Sequence, residues 1–198
     1  MNRRELINWP NFLSVLRICL TPLFLVMLSA ETWYWRSAAF VVFVLAALTD
    51  YYDGRLARSA NKVTSVGRFL DPLADKILVT SALVAFAWAR LVHAWLIVPI
   101  IVRDVVITGM RLYGIYRGRQ MVTTRLAKWK TAVQFITVVV ILFLVGLQEL
   151  LGQFNREGTL PAEGVQVLIN GLMAAVLVLT VLSGFHYLFR ASFSFNKS

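Results

Sequence analysis

Long apolar runs broken by short polar hairpins dominate this chain. Apolar stretches recur at 12–30, 34–53, 71–91, 94–113, 131–150 and 165–189. Each is close to the ~20 residues that an α-helix needs to cross the hydrocarbon core of a bilayer. The connections leave no room for a separate soluble domain, and no internal repeat is visible. The pattern predicts an all-α integral membrane protein with six transmembrane helices in one domain over 1–198. A short interfacial segment, about 2–10, precedes them, with Leu6, Ile7 and Trp9 suited to the headgroup layer. Arg3 and Arg4 before an apolar run resemble a signal peptide. Arg17 and Pro22 interrupt that run, however, and Leu28 is too large for a small-x-small cleavage site, so the first helix is expected to be retained.

Composition agrees. The chain is 59% hydrophobic and 15% charged, which excludes an ordinary soluble globule. Its net charge of +10 is distributed by side. With the amino terminus in the cytoplasm, thirteen basic residues fall on inner segments: Arg3, Arg4, Arg55, Arg58, Lys62, Arg68, Arg117, Arg119, Arg125, Lys128, Lys130, Arg190 and Lys197. Only Arg36, Arg90 and Arg156 fall on outer loops, so both termini are expected inside. A basic chain of this kind needs no nucleic acid partner, because anionic headgroups or an anionic substrate account for the charge. Trp33, Trp35, Trp88 and Trp95 cluster at the expected outer interfaces. His93 is expected at the interface and His186 in packing within helix 6. The single cysteine, Cys19, excludes an internal disulfide and is expected to pack within helix 1.

Four of the five aspartates lie in one run, DYYDGRLARSANKVTSVGRFLDPLAD, residues 50–75. Helix 2 is expected to end near Asp53 and helix 3 to start near Asp71, which brings both pairs to the cytoplasmic boundary. Residues three and four apart share a helix face, so Asp50 pairs with Asp53 and Asp71 with Asp75. Asp50, Asp53, Gly54 and Ala57 form one stripe, acidic at one end and nearly bare of side chains at the other. Two carboxylates about 6 Å apart repel by roughly 3 kcal/mol at an effective dielectric of 20. Six such pairs reach on the order of 15 kcal/mol, comparable to the stability of a whole domain. Oxygen donors without nearby cysteine or histidine favour a hard ion, Mg²⁺ or Mn²⁺, and four carboxylates suit two ions better than one. Each residue alone has a plainer explanation. Asp71 before Pro72 fits a helix N-cap, Asp50 or Asp53 fits an ion pair with Arg55 or Arg58, and Gly54 fits a helix terminus. These do not account for the set together.

The spacing D-x2-D-G-x2-A-R-x8-G-x3-D-x3-D is met at Asp50, Asp53, Gly54, Ala57, Arg58, Gly67, Asp71 and Asp75. It resembles the signature of the CDP-alcohol phosphotransferases, six-helix membrane enzymes that are usually homodimeric. The resemblance implies two Mg²⁺ or Mn²⁺ ions per site, held by Asp50, Asp53, Asp71 and Asp75 on the diphosphate of a CDP-linked donor. Asp75 is then a metal ligand or the base that takes the acceptor's proton. Gly54, Ala57 and Gly67 leave space for the cytidine nucleotide, and Arg58 contacts its phosphates.

Three further stretches resemble the phosphatidylglycerophosphate synthase branch: the opening NWPNFLSVLRICLTP, the run GRFLDPLADKILVTSALV, and the set Arg103-Asp104, Arg111 and AKWKT. The chain departs from that branch at Ser14 for threonine, Asp104 for glutamate, Leu112-Tyr113 for Glu-Trp and Ala127 for glycine. The resemblance implies CDP-diacylglycerol as donor and sn-glycerol-3-phosphate as acceptor, in a bacterial inner membrane with the site facing the cytoplasm. Charge placement is compatible with a phosphorylated acceptor. Arg103 lies deep in helix 4, Arg111 nearer the cytoplasm, and Lys128 and Lys130 enter helix 5 from that side, which together outline a phosphate pocket. The alternative pairs Arg103 with Asp104 or Asp53 and leaves the lysines as headgroup anchors. Arg17 either snorkels or lines the same cavity. Rival functions are the same chemistry on inositol phosphate, serine or phosphatidylglycerol, an intramembrane prenyltransferase, or a divalent-cation transporter. The last predicts acidic residues through the membrane depth, whereas here they gather at one face.

Overall fold

The computed structural model describes residues 9–30, 32–59, 65–116, 125–154 and 161–195. Within these, the side chains of 9–13, 49–59, 65–72, 75, 111, 115, 125, 153–154, 162 and 186–195 lie outside the description. Six α-helices and no strand occur among the described residues: α1 (Trp9–Ser29), α2 (Trp33–Ser59), α3 (Ser65–Trp88), α4 (Ala94–Tyr116), α5 (Arg125–Phe154) and α6 (Ala162–Phe195). Each apolar run of the sequence has become one helix.

The ends differ from expectation where the chemistry lies. The second helix runs past Asp53 to Ser59, so Gly54 does not terminate it. Arg55, Leu56, Ala57 and Arg58 are strong helix formers, and arginines in a last turn complement the negative end of the helix dipole. The third helix starts at Ser65, six residues before Asp71, so Asp71 is an interior position rather than an N-cap. An interior proline removes one hydrogen bond to the carbonyl four residues earlier, and the helix continues through Pro72 nonetheless. Trp9 and Pro10, expected in the interfacial segment, open α1; the rest of that segment lies outside the described residues.

The helices fall into two compact units, Met1–Ala85 with Val139–Leu160, and Phe86–Val138 with Pro161–Ser198. In the first, α1 packs against α2. The buried face of α1 is Ser14, Arg17, Thr21, Phe24 and Leu28, spaced three and four apart. Among the described side chains of α2, Ala39, Phe43 and Ala46 are buried, and Phe24 meets Phe43 with ring centroids 5.4 Å apart. The small side chain at Ala46 lets the backbones approach, as small residues do between membrane helices. The Nε of Arg17 donates to the Ala46 carbonyl at 3.3 Å. Arg17 therefore neither snorkels nor faces lipid; it is 1% exposed. Cys19, two residues on, falls about 200° around the helix. It is exposed, not packed as expected. Phe40 of α2 meets Phe143 of α5 at 6.0 Å, and Arg36 forms an ion pair with Glu149.

In the second unit the end of α3 closes with a left-handed residue, Arg90, at φ 57°. The N–H of Leu91 donates to the Phe86 carbonyl at 2.9 Å and that of Arg90 to the Ala87 carbonyl at 3.1 Å, the paired bonds of a Schellman cap. Side chains of α6 hold the following hairpin. Gln166 Nε2 donates to the Arg90 carbonyl at 3.1 Å, and Asn170 Oδ1 accepts the His93 N–H at 3.1 Å. Helix α4 packs against α6, whose buried positions Val165, Ile169, Met173, Val176, Thr180 and Ser183 again step by three or four.

Among the described residues two segments, Leu126–Gly152 and Glu163–Phe185, are long and apolar enough to cross a membrane, and only 28% of an 18-residue apolar window in each is buried. A helix in a soluble core would be mostly covered. Here Ile136, Phe143, Val167, Leu168, Val178 and Leu182 instead point outward, as lipid-facing residues do. Trp33, Trp35, Trp88 and Trp95 are exposed at helix ends.

Glycine adopts the Arg90 conformation without the Cβ penalty. Arg90→Gly should therefore raise stability in detergent by about 0.5–1 kcal/mol, read as a higher thermal or denaturant midpoint. A lower midpoint would show that the arginine side chain outweighs the backbone strain.

Candidate active site

Continuous helix through residues 50–59 and 65–75 has a direct consequence for the acidic run. Positions 50, 53, 54 and 57 stay in register on one stripe of α2, and positions 67, 71 and 75 on one stripe of α3. Asp50, Asp53, Asp71 and Asp75 thus sit on regular backbone, not on the connecting loop. Their side chains lie outside the described residues, as do those of Arg58 and Ala57; Gly54 and Gly67 are helical positions of α2 and α3. Among the described residues no group of three or more potential metal-binding side chains occurs. The donor set itself remains hard, oxygen-only and densely charged, which fits a small divalent cation. The acidic stripes and Arg17 belong to the first unit. Ala46, whose carbonyl Arg17 holds, stands one helical turn before Asp50.

The second unit contains a buried polar cluster. Asp104 of α4 uses one carboxylate oxygen, Oδ1, for two cations: Arg103 Nη1 donates to it at 3.0 Å, and Lys130 Nζ of α5 donates to it as well. Lys130 Nζ also donates to Gln134 Oε1 at 2.6 Å. Arg103 Nη2 donates to Ser183 Oγ of α6 at 2.9 Å. Ser183 Oγ in turn donates to the Thr180 carbonyl at 3.0 Å. Lys130 and Asp104 are 1% and 3% exposed, and Arg103 13%. A charge at the centre of a span costs about 2.5–3.5 kcal/mol on insertion scales. Mutual pairing and full hydrogen bonding are what make such burial tolerable. Among the described residues, Arg103 and Lys130 both pair with Asp104. Arg103 Nε is buried without a hydrogen-bond partner.

Of the residues expected at an acceptor phosphate, the fold joins Arg103 and Lys130 through Asp104. Lys128, two residues from Lys130, is exposed, because that step turns about 200° around α5. Arg111 stands eight residues beyond Arg103 in α4, with its side chain outside the described residues. The ion pair of Arg103 with Asp104, read from the sequence as an alternative to a phosphate pocket, is present. Gln134 and Ser183 went unnoticed in the sequence. A polar residue four positions after Lys130 in an apolar helix was a usable signal for Gln134. Nothing in the sequence linked Ser183, eighty positions from Arg103, to this cluster.

Comparison with known proteins decides what these features belong to. Residues 7–183 match the family model described as CDP-alcohol phosphatidyltransferase. The chain belongs to the CDP-alcohol phosphatidyltransferase family. It is similar to a protein of Bacillus subtilis (strain 168) named CDP-diacylglycerol--glycerol-3-phosphate 3-phosphatidyltransferase, 37% identical over 66% of this chain and 74% of the relative. A Cereibacter sphaeroides protein of the same name is 37% identical over 76% and 71% of the two chains. A Mycobacterium tuberculosis protein named probable phosphatidylglycerophosphate synthase is 34% identical over 96% of this chain and 84% of its own. Membership in this family, with outward-facing apolar helices, makes the chain an all-helical membrane transferase of phospholipid synthesis. The matched region takes in both the acidic stripes and the Arg103–Asp104–Lys130 cluster.

Burial separates the two lysines energetically. Lys130→Met removes one of two cations from a buried carboxylate and should cost about 1–3 kcal/mol, moderated by the remaining Arg103 contact. Lys128→Ala, on an exposed position, should change stability by no more than about 0.5 kcal/mol. Denaturation of the two purified variants in the same detergent checks the contrast.

Proposed function

We propose that this chain transfers the phosphatidyl group of CDP-diacylglycerol to sn-glycerol-3-phosphate, giving phosphatidylglycerophosphate and CMP. It works as a homodimer in a bacterial inner membrane. In this reading six spans keep both termini inside, and the active site faces the cytoplasm. The observation that carries this reading is the complete acidic signature on uninterrupted stretches of α2 and α3, in a chain of this family. The choice of acceptor is supported by the names of the relatives and by the meeting of two cationic side chains, Arg103 and Lys130, at Asp104.

Asp50, Asp53, Asp71 and Asp75 would hold two Mg²⁺ or Mn²⁺ ions, which when bound supply Lewis-acid neutralisation of the donor diphosphate. The protein's own groups divide the remaining work. Gly54, Ala57 and Gly67 keep the helix surface low beside the cytidine nucleotide, and Arg58 meets its phosphates. Asp75, when not engaged as a ligand, takes the proton of the acceptor hydroxyl as its oxygen attacks the phosphatidyl phosphorus. The bond from that phosphorus to the CMP oxygen breaks, and CMP leaves. Arg103 and Lys130, with Arg111 on the same helix as Arg103, draw the phosphate of sn-glycerol-3-phosphate and fix the attacking hydroxyl by its far end; Lys128, exposed on another face of α5, takes no part.

A second reading keeps the donor chemistry and changes the acceptor to inositol phosphate, serine or phosphatidylglycerol. It is favoured by the departures at Asp104, Leu112, Tyr113 and Ala127. Release of CMP from CDP-diacylglycerol, measured with each acceptor in turn, separates the two. Stimulation by sn-glycerol-3-phosphate is expected, with EDTA abolishing it and added Mg²⁺ or Mn²⁺ restoring it. No stimulation by this acceptor would remove the assignment. Asp75→Asn should lower turnover by at least about 10²-fold, the scale of a lost general base, while donor binding survives. Near wild-type turnover would take Asp75 out of that role.

A further inference from the structure

We propose that Asp104, seconded by Ser183, is the positioning residue of the acceptor pocket, aiming Arg103 and Lys130 at one point where the acceptor's phosphate is received. The proposal rests on the acceptor assignment made above. Three observations carry it, all from α4, α5 and α6 of the second unit.

The first is the sharing of a single oxygen. Arg103 Nη1 and Lys130 Nζ both donate to Asp104 Oδ1. Two donors on one oxygen stand within about 6 Å of each other, close enough for the oxygens of one phosphate to meet both. Without that anchor, two long cationic side chains from different helices would repel and separate.

The second is the gathering of cationic groups at one buried point. Among the described residues Arg103 and Lys130 meet on the Asp104 carboxylate, and all three side chains are at least 87% buried, taking the exposures of 13%, 3% and 1% from 100%. Two converging cationic donors suit a phosphate monoester, which brings about two negative charges.

The third is spare hydrogen-bonding capacity. Buried polar groups in a purely structural network are nearly always satisfied. Arg103 is held on one nitrogen by Asp104 and on another by Ser183, at 3.0 and 2.9 Å, while its Nε is buried without a partner. The guanidinium is thus oriented from two sides by the protein and keeps a donor in reserve. Lys130 is likewise fixed from two sides, by Asp104 and by Gln134 at 2.6 Å. Asp104 acts through the two cations.

The test uses the full chain in detergent, with CMP release measured against varied sn-glycerol-3-phosphate and varied CDP-diacylglycerol. Asp104→Asn keeps the shape and removes the charge. It should raise KM for sn-glycerol-3-phosphate by about 10-fold or more, the scale of a lost charge-assisted contact, and leave KM for CDP-diacylglycerol within about twofold. Asp104→Glu restores the carboxylate and should return acceptor KM to within about threefold of the starting value. Ser183→Ala releases one side of the guanidinium without altering charge and should raise acceptor KM by about three- to fivefold. If Asp104→Asn does not fold, Ser183→Ala and Asp104→Glu decide the matter. Unchanged acceptor KM in Asp104→Asn or Ser183→Ala, equal rises for both substrates, or Asp104→Glu as impaired as Asp104→Asn would overturn the positioning role. If the unmodified protein releases no CMP with sn-glycerol-3-phosphate, the acceptor assignment falls and the positioning role falls with it. If the unmodified protein responds and the variants do not differ from it, only the role of Asp104 is lost.

Discussion

Charge in an apolar helix must find its partner inside the protein, and that constraint organises both units of this chain. Asp104 is the sharpest instance, since one carboxylate oxygen ties α4 to α5 through Lys130 and anchors the arginine that reaches Ser183 on α6. The Arg36–Glu149 pair does the corresponding work between α2 and α5 in the first unit. Arg17 meets the same demand with a backbone carbonyl, at Ala46. Apolar contact between helices is interchangeable with lipid contact and specifies little by itself. Polar links of this kind fix which helix faces which and at what register.

Helix continuity performs the complementary task for the acidic run. A constellation of carboxylates on a loop would have to be ordered at the moment of binding, at an entropic cost for every residue fixed. On α2 and α3 the backbone is ordered beforehand by helical hydrogen bonds, and Gly54 is absorbed into the helix instead of ending it. A site built on regular elements holds its spacing better than one built on loops. Gly54 and Ala57 share a stripe with Asp50 and Asp53 through the same continuity, because these positions align only while the helical register is maintained.

Much of this was legible in the residues. Apolar run lengths gave the number and order of the helices, and the eight fixed positions from Asp50 to Asp75 pointed to the family to which the chain belongs. Helix ends were less legible. Gly54 and the Asp71-Pro72 pair both read locally as boundaries, and strong helix formers around them overrode that signal. Burial within a helix was partly legible: Arg17, Thr21, Phe24 and Leu28 share a face, and Cys19 falls off it. Contacts across large sequence distances were not. Lys128 and Lys130 look alike in a string of basic residues, and only the fold shows that one reaches Asp104 while the other stays outside.

The Arg17 contact ties two parts of the signature together mechanically. The carbonyl it grips is the one that an α-helix assigns to the N–H of Asp50. A single peptide group therefore serves as hinge-pin for the first helix and as footing for the first acid of the motif. Sliding α1 along α2 would tug at that footing, so the opening stretch of the chain and its acidic run are bound to shift as one piece.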